Sequence, residues 1–393
     1  MEKKTNRILI LIGTMLAQLG LGTLYTWSLF NAPLSQLHGW SLEQVVLSFS
    51  ITSFCLAIGT LFAGKLQEIF GIKIVVAACA IILGVGLAFA PKFNNLIELY
   101  ISAGVIVGLV NGIAYILTLS NCLKWFPDHK GVISSISIGC YGLGSLIFKY
   151  VNADLIKSTG IVHAFMYWGL MAFILVFIGA LFLKDAPKAV ASSINSVAKE
   201  FNWTELFKEP SAYLLFIAFF SSCLSGLYLI GTAKNIGILF AHLSPAMAGS
   251  AVALVAIFNT LGRLILGSLS DRLARTKVSA FAFLLMFIGI IILLFVPLSM
   301  TTFTISIALI AFAFGGNLTI FPAIVSEYFG LTNHSKNYGV IYQGFGIGGL
   351  LGGIVANVMG GFKPTFWLML FVAILSILIM TFIKPPKVNR IKA

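Results

Sequence analysis

Long apolar stretches separated by short polar loops dominate the pattern of residues along this chain. Most of these stretches contain about 20 residues, the length that an α-helix needs to cross the hydrocarbon core of a bilayer. The first stretch is too long for the core of a signal peptide and has no small-residue cleavage site after it, so we expect it to remain in the mature protein. The pattern predicts an all-α membrane protein with twelve transmembrane helices, at about 8–30, 42–63, 74–91, 97–120, 131–152, 163–183, 211–232, 246–268, 278–297, 302–323, 337–359 and 365–383.

Composition agrees with a membrane protein. Apolar residues make up 59% of the 393 positions, charged residues make up 9%, and the mean hydropathy is +1.02. Soluble domains carry about 25% charged residues. These values exclude an ordinary soluble protein and make the lipid bilayer an expected partner.

Lysine and arginine collect in alternate loops, and such residues favour the cytoplasmic side of a membrane. With both termini inside, the cytoplasmic segments hold 19 of the 25 Lys and Arg residues, the outer segments hold five, and Arg263 alone lies well inside a span. We therefore predict a multi-pass membrane protein with both termini cytoplasmic. A bacterial inner (plasma) membrane and a monomeric state are further expectations. The same bias accounts for the net charge of +13, so nucleic acid is not an expected partner.

The two halves of the chain match at an offset of 203 to 204 residues. GKLQEIFGIK (64–73) aligns with GSLSDRLART (267–276), and Gly112 aligns with Gly315. Together these matches indicate two similarly oriented halves, as in transporters built from parallel repeats. The predicted domains are a six-helix half at 1–183, a central cytoplasmic loop at 184–209 and a second six-helix half at 210–393.

The aligned loops share a glycine that is followed four residues later by an acid, with basic residues nearby. An acid at the start of a helix interacts favourably with the positive end of the helix dipole, and such a contact can hold a gate closed. The alternative is that these charged loops only set the topology. The predicted gating residues are Gly64, Glu68 and Lys73 in the first copy and Gly267, Asp271 and Arg272 in the second.

Polar side chains inside lipid need a partner, so we expect them on helices that line a cavity or pack closely. Tyr25, Tyr115, Tyr141 and Tyr342 lie deep in predicted spans and are candidates for cavity residues. Tryptophan near a span end is more often an interfacial anchor. That interpretation is preferred for four residues, Trp40, Trp125, Trp168 and Trp367.

Arg263 is the candidate for substrate binding. A cation at the centre of a membrane costs at least about 2.5 to 3.5 kcal/mol on insertion scales and is usually retained for function. Arg263 could instead extend to the cytoplasmic interface, since Asp271 is only eight residues away, or pair with a buried acid. None of the twelve Asp and Glu residues lies well inside a predicted span, which favours a substrate anion as the partner.

No motif predicts a metal site, a cofactor or an enzyme active site. The five histidines lie in loops or at span ends without metal-ligand spacing, and the five cysteines are scattered. No deep constellation of Ser, His, Cys and an acid is visible in the sequence. We therefore do not expect this chain to be an enzyme.

Several segments resemble the oxalate:formate antiporter family of the major facilitator superfamily, and within it the pyruvate transporter-like branch. The resemblance implies the major facilitator fold of two six-helix halves and transport by alternating access. It rests on GTLYTWSLFNAPL (22–34), NCLKWFPDHKG (121–131), YGLGS (141–145), NTLGRLILGSLSD (259–271), FPAIVSEYFG (321–330) and KNYGVIYQGFGIGG (336–349).

The resemblance also implies a substrate site in which Arg263 holds a carboxylate. Phe345 occupies the position at which dicarboxylate-transporting members carry a lysine. With one cationic clamp, an oxalate dianion would leave its second carboxylate desolvated and unpaired. The residues that would line the cavity are Tyr25, Tyr115, Tyr141, Phe314 and Tyr342, together with Phe345 itself.

The function favoured at this point is symport, antiport or facilitated transport of a small monocarboxylate that carries a carbonyl or hydroxyl group, such as pyruvate. Three alternatives stay open. They are oxalate/formate-type dicarboxylate exchange, efflux of a drug or siderophore, and ligand sensing without transport.

Overall fold

The structure, a computed structural model, describes residues 6–187 and 200–386. The described residues form helices and loops, with no β-strand among them. Residues 1–5 and 387–393, and about half of the predicted central loop at 184–209, lie outside the described residues. The helices are α1 (Arg7–Gly22), α2 (Asn31–His38), α3 (Leu42–Phe70), α4 (Ile72–Phe89), α5 (Leu96–Leu99), α6 (Val107–Trp125), α7 (Lys130–Phe182), α8 (Trp203–Leu206), α9 (Pro210–Asn235), α10 (Pro245–Leu269), α11 (Arg275–Phe295), α12 (Met300–Phe329), α13 (His334–Val358) and α14 (Phe362–Phe382).

Three membrane helices contain tighter or wider turns. α1 continues into a 3-10 segment at Thr23–Leu29, α5 and α6 are joined by a π-helical segment at Tyr100–Ile106, and α9 continues into a π-helical segment at Ile236–Phe240. Such departures from regular α-helix often occur at functional sites.

Nine helical stretches of the described chain are long and apolar enough to cross a membrane. One of them, Lys130–Phe182, is 53 residues long and is broken at Gly160, whose φ of 76° suits glycine. The predicted spans at 131–152 and 163–183 both lie within it. The all-α membrane fold is thus confirmed, whereas the total of twelve spans stays a prediction.

The described chain separates into two compact units. Unit 1 comprises the described residues 6–128, 136–187 and 331–339, and unit 2 comprises 129–135, 200–330 and 340–386. The first residues of α7 therefore belong to unit 2, and the first residues of α13 belong to unit 1. In both cases the segment that is assigned to a different unit from the rest of its helix is the start of that helix. The sequence predicts that this start lies on the cytoplasmic side.

Close backbone contact joins α3 and α6 in unit 1. A Cβ atom on Gly59 would overlap the backbone of Leu109, and one on Gly112 would overlap the carbonyl oxygen of Leu56. Only glycine allows two helix backbones to approach this closely.

The same contact joins α10 and α12 in unit 2. Gly262 lies against the backbone of Phe312, and Gly315 lies against that of Asn259. These two glycines follow Gly59 and Gly112 at an offset of 203 residues. The internal repeat is therefore expressed in helix packing as well as in the loops.

Two tryptophans lie inside unit 1 rather than at a lipid interface. Trp168 is fully buried, donates from Nε1 to Thr23 Oγ1 at 2.9 Å and stacks on Phe30 at 4.8 Å. Trp125 is 5% exposed and donates from Nε1 to the carbonyl oxygen of Lys184 at 3.0 Å. The prediction that both are interfacial anchors is wrong, because the protein itself supplies the hydrogen-bond partner and the apolar surroundings.

Candidate functional site

Three of the predicted cavity residues form one aromatic cluster in unit 1. The rings of Tyr25 and Tyr141 lie 5.4 Å apart at 73°, and those of Tyr115 and Tyr141 lie 5.4 Å apart at 81°. These edge-to-face arrangements are the preferred geometry for aromatic pairs. Tyr115 and Tyr141 are each 3% exposed, and Tyr25 is half-buried. We refer to these three residues as the tyrosine cluster.

The change of helix type after α1 places Tyr25 in the cluster. At Thr23 the helix tightens, and Thr23 Oγ1 donates to the carbonyl oxygen of Gly20 at 2.8 Å. Gly22 packs directly on Tyr141, because a Cβ atom at this position would overlap the Tyr141 backbone. The end of α1 is thereby fixed against α7, and Tyr25 follows within the 3-10 segment.

Asn111 connects the tyrosine cluster to the end of α1. It is fully buried, its Nδ2 donates to the carbonyl oxygen of Leu21 at 3.0 Å, and its Oδ1 accepts from the Tyr141 hydroxyl at 3.1 Å. Gln18 makes a second link between α1 and α6, donating from Nε2 to the carbonyl oxygen of Tyr115 at 2.9 Å. Asn111 was recognisable in the sequence as a polar residue within a span, but nothing there indicated these contacts.

Arg263 lies in unit 2 on α10, six residues before the last residue of the helix. Its side chain is buried, with 4% of the residue exposed, so the alternative in which it extends to the surface is not supported. Its carbonyl oxygen accepts a hydrogen bond from Thr319 Oγ1 at 3.2 Å, which ties this turn of α10 to α12. The guanidinium is thus carried by a turn that is held against a neighbouring helix.

The predicted aromatic residues of unit 2 form two groups. Tyr342 and Phe345 stack on each other along α13, with ring centroids 5.1 Å apart at 19°, and Tyr342 also contacts Phe219 at 5.8 Å. Phe314 is 1% exposed and packs on α9, where a Cβ atom on Gly226 would overlap its ring. Phe345 is 1% exposed.

The first predicted gating loop contacts segment 331–339 in unit 1. Glu68 forms an ion pair with Lys336. A Cβ atom on Gly64 would lie 2.9 Å from Ser335 Oγ and against the Lys336 side chain. Glycine at position 64 therefore lets α3 approach segment 331–339 closely at the place where Glu68 pairs with Lys336.

Further contacts hold the same segment, and the sequence did not reveal them. Lys124 donates from Nζ to the carbonyl oxygen of Thr332 at 2.9 Å. Ser120 Oγ and Nδ1 of the fully buried His334 lie 2.8 Å apart. We refer to the contacts of segment 331–339 with the rest of unit 1 as the first latch.

The second predicted gating loop caps the start of α7 in unit 2. The carboxylate of Asp271 accepts from the backbone N–H groups of Gly131 at 2.7 Å and Val132 at 2.8 Å. The same carboxylate pairs with Arg275 at 2.9 Å, and the Asp271 side chain is only 10% exposed. A carboxylate in this position satisfies N–H groups that a helix start leaves without a partner and favours the positive end of its dipole.

Three neighbouring contacts complete this arrangement, which we call the second latch. A Cβ atom on Gly267 would overlap Ser135 Oγ and crowd Thr319. Arg275 also pairs with Glu327 at 2.6 Å. The sequence predicted Gly267 and Asp271 but not Arg275 or Glu327.

Two predicted gating residues, Lys73 and Arg272, have exposed side chains. Neither makes a side-chain hydrogen bond or ion pair with the residues that the structure describes. A gating role for these two stays a prediction without a contact to support it.

Comparison with known proteins shows where this architecture belongs. The chain matches the Major Facilitator Superfamily profile over residues 10–236 and 224–393. The chain belongs to the major facilitator superfamily. It is therefore a member of a family of multi-pass membrane transporters, which confirms the fold expected from the resemblance.

Individual relatives within the superfamily agree with this assignment. The chain is 47% identical to the MFS-type transporter YhjX of Escherichia coli strain K12, over 88% of this chain and 86% of the relative. It is 27% identical to the oxalate:formate antiporter of Oxalobacter formigenes, over 93% and 88%. The structure of the proton:xylose symporter XylE superposes with a TM-score of 0.80 at 13% identity, over 96% of each chain, which supports the fold alone.

We expect that Asp271→Asn loosens the second latch of this major facilitator protein. The amide keeps one acceptor but places an NH2 group against backbone N–H groups or Arg275, which costs about 1 to 2 kcal/mol. Ser135 is 1% exposed, so a Ser135→Cys reporter should react with a maleimide about tenfold faster in the Asp271→Asn background. All five native cysteines are buried, which keeps background labelling low.

The control for this variant is Asp154→Asn, which changes an exposed acid of unit 1 outside both latches. It should leave the labelling rate of the Ser135→Cys reporter unchanged. Equal labelling rates of this reporter with and without the Asp271→Asn substitution would contradict a latch at this position.

Proposed function

We propose that this major facilitator protein carries a small organic anion, namely a monocarboxylate with a carbonyl or hydroxyl group such as pyruvate, by alternating access. The observation that carries the proposal is a buried arginine, Arg263, in the apolar helix α10. The family resemblance adds that Phe345 occupies the position of a second cation. A cation that is kept inside a membrane protein at such cost is commonly part of a substrate or ion pathway.

Arg263 would hold the substrate carboxylate. Its planar guanidinium can donate two parallel hydrogen bonds to one carboxylate, a geometry that lysine does not offer. Tyr25, Tyr115 and Tyr141 are proposed as further substrate-binding residues, because their side chains offer polar edges and aromatic faces. Phe314 and Tyr342 are proposed as apolar and aromatic lining residues of the same carrier.

Phe345 argues against a dianion as the preferred substrate. It is buried and stacked on Tyr342, so the aromatic pair presents no charge at this position. The similarity to an oxalate:formate antiporter supports a small anion as the substrate class. The loss of the second clamp is what separates this chain from dicarboxylate exchange.

The two latches are proposed as the gate contacts that must break in each transport cycle. Gly64 and Glu68 belong to the first latch, and Gly267 and Asp271 belong to the second. We further propose that the protein works as a monomer in a bacterial inner membrane with both termini in the cytoplasm. The distribution of Lys and Arg residues supports this orientation, and the similarity to bacterial transporters supports the membrane.

The proposal is tested by counterflow in proteoliposomes. Vesicles loaded with unlabelled pyruvate should accumulate radiolabelled pyruvate, whereas vesicles without protein should not. External oxalate should compete at least about tenfold more weakly than pyruvate, because its second carboxylate loses hydration without gaining a cation. Equal competition by oxalate would favour dicarboxylate exchange. Competition by cationic drugs alone would favour efflux, and pyruvate binding without counterflow would favour a sensor.

A further inference from the structure

A cavity of about 520 Å³ lies between the start of α9 and the end of α14, within unit 2. The two helices pack against each other. The start of α9 contributes Glu209, Ser211 and Leu214 to the cavity, and the end of α14 contributes Ile379 and Lys384. The distribution of Lys and Arg residues predicts that both helix ends lie on the cytoplasmic side, so the cavity lies where two apolar spans meet the lipid headgroups.

Two opposite charges line the cavity without pairing with each other. Glu209 is half-buried and Lys384 is exposed. Neither makes an ion pair or a side-chain hydrogen bond with another residue of the described chain. A simple anion at Lys384 would also meet the carboxylate of Glu209. A ligand that carries both a negative and a positive group therefore complements the cavity better than an anion does.

Ser211 adds a hydroxyl group to the same wall. It lies in the first turn of α9 and is 6% exposed, and its Oγ has no hydrogen-bond partner among the residues that the structure describes. A buried hydroxyl without a partner costs free energy, so such a group in a native structure calls for an explanation. Rotation about the Cα–Cβ bond turns this hydroxyl towards the cavity, where an oxygen atom of a ligand can accept its proton.

The backbone on both sides of the cavity is fixed. The carbonyl oxygen of Glu209 accepts from the N–H group of Ala212 at 3.0 Å, and the N–H group of Ile383 donates to the carbonyl oxygen of Ile379 at 2.8 Å. Two prolines follow Lys384, and their rings restrict φ. The charged groups are therefore carried by a preformed frame, which lowers the entropy cost of binding a ligand.

The apolar residues of the cavity favour a lipid over a soluble ion. Leu214 and Ile379 form apolar walls, and Phe382 is 73% exposed at the edge of the cavity. A membrane lipid can bury its glycerol unit and the first methylene groups of its acyl chains against these side chains, and each buried methylene group is favourable. A free phosphate ester has no such groups.

From these observations we propose that the cavity binds the headgroup of phosphatidylethanolamine from the cytoplasmic leaflet. Lys384 and Ser211 hold the phosphate, and Glu209 accepts hydrogen bonds from the primary ammonium group. Phosphatidylcholine carries the same two charges, but its quaternary ammonium group has no N–H to donate. Phosphatidylglycerol has no cation for Glu209. This inference goes beyond the proposed function and does not depend on which substrate the carrier transports.

The proposal is tested by native mass spectrometry of the full chain purified in detergent. The protein is titrated with phosphatidylethanolamine, phosphatidylcholine and phosphatidylglycerol that all carry two oleoyl chains. Phosphatidylethanolamine should bind about tenfold more tightly than either of the others, the effect expected from one charge-assisted hydrogen bond. Water-soluble phosphoethanolamine is the arm that tests the source of the headgroup, and a large molar excess of it should not displace the lipid.

Three variants assign the effect to the cavity. Glu209→Gln should bring the affinities for phosphatidylethanolamine and phosphatidylcholine to within about twofold of each other, because a neutral amide no longer favours the primary ammonium group. Lys384→Ala should weaken all three lipids by about tenfold, and Ser211→Ala should weaken them by about threefold. Lys277→Ala is the matched control, because Lys277 is an exposed lysine in the first turn of α11 that does not line the cavity.

The outcomes separate the possible ligands. Equal affinity of the wild-type protein for the three lipids, or selectivity that persists in Glu209→Gln, would overturn the proposal. Displacement of the lipid by phosphoethanolamine would assign the cavity to a soluble ligand instead. An equal effect of Lys384→Ala and Lys277→Ala would place the bound lipid elsewhere. If Glu209→Gln does not fold, the selectivity of the wild-type protein and the comparison of these two lysine variants decide, since both lysine side chains are exposed.

Discussion

Replacing Arg263 with lysine or alanine should reduce carboxylate uptake by about 100-fold or more while the protein still folds and inserts. A charge-assisted pair of hydrogen bonds to a carboxylate is worth about 3 kcal/mol, and each 1.4 kcal/mol is a factor of ten. Lysine keeps the charge but loses the planar fork, so Arg263→Lys should fail almost as severely as Arg263→Ala. Uptake of radiolabelled pyruvate in proteoliposomes measures the loss, and size-exclusion chromatography reports folding.

Arg7 provides the matched control, because it is an exposed arginine at the start of α1. Arg7→Lys and Arg7→Ala should leave uptake within about twofold of the wild-type rate, as expected for a surface charge. If both Arg263 variants transport pyruvate at the wild-type rate, Arg263 is not the substrate clamp. Loss of uptake in Arg263→Ala with full retention in Arg263→Lys would assign the role to charge rather than to the fork.

Hydropathy located the membrane helices but not their ends. Each predicted stretch is mainly helical in the structure, because an apolar run of this length can satisfy its backbone in lipid only as a helix. The ends differ because a helix continues through polar turns beyond the bilayer. α12 runs to Phe329, six residues past the predicted end at 323, and α3 runs to Phe70 rather than to 63.

The candidate site was predicted in part. Depth within a span identified Tyr25, Tyr115 and Tyr141, and the structure brings these three together. The Tyr141 hydroxyl donates to Asn111, which lies 30 residues away along the chain. The residue pattern within one helix does not encode a hydrogen bond to another helix. This contact could therefore be identified only from the folded structure.

The loop motif shows the same limit. Spacing and residue type identified Asp271, but its partners at Gly131 and Val132 lie 140 and 139 residues away. The two copies of the loop also act differently. Glu68 pairs with a lysine side chain, whereas Asp271 caps a helix, and the alignment of the copies alone would have assigned them one role.

Gly112→Ala should destabilise the protein strongly, because the added Cβ atom would overlap the carbonyl oxygen of Leu56 in α3. Neither backbone can yield without moving a whole helix, and overpacking of this kind costs about 1 to 3 kcal/mol, with more where backbone is involved. A clear fall in the apparent Tm in detergent, with reduced yield of the monodisperse protein, is expected. Thermal-shift measurement on purified protein provides the readout.

Gly231→Ala distinguishes this packing effect from a general response to losing a glycine. Gly231 lies within α9, and a Cβ atom there meets nothing within 4 Å, so alanine should stabilise the helix by about 0.5 to 1 kcal/mol. Gly315→Ala, the repeat equivalent of Gly112, faces the backbone of Asn259 and should behave like Gly112→Ala. An unchanged Tm in Gly112→Ala would show that α3 and α6 can separate at little cost. A large loss in one glycine variant but not in its repeat partner would show that the two helix pairs share a sequence pattern without sharing the same dependence on close contact.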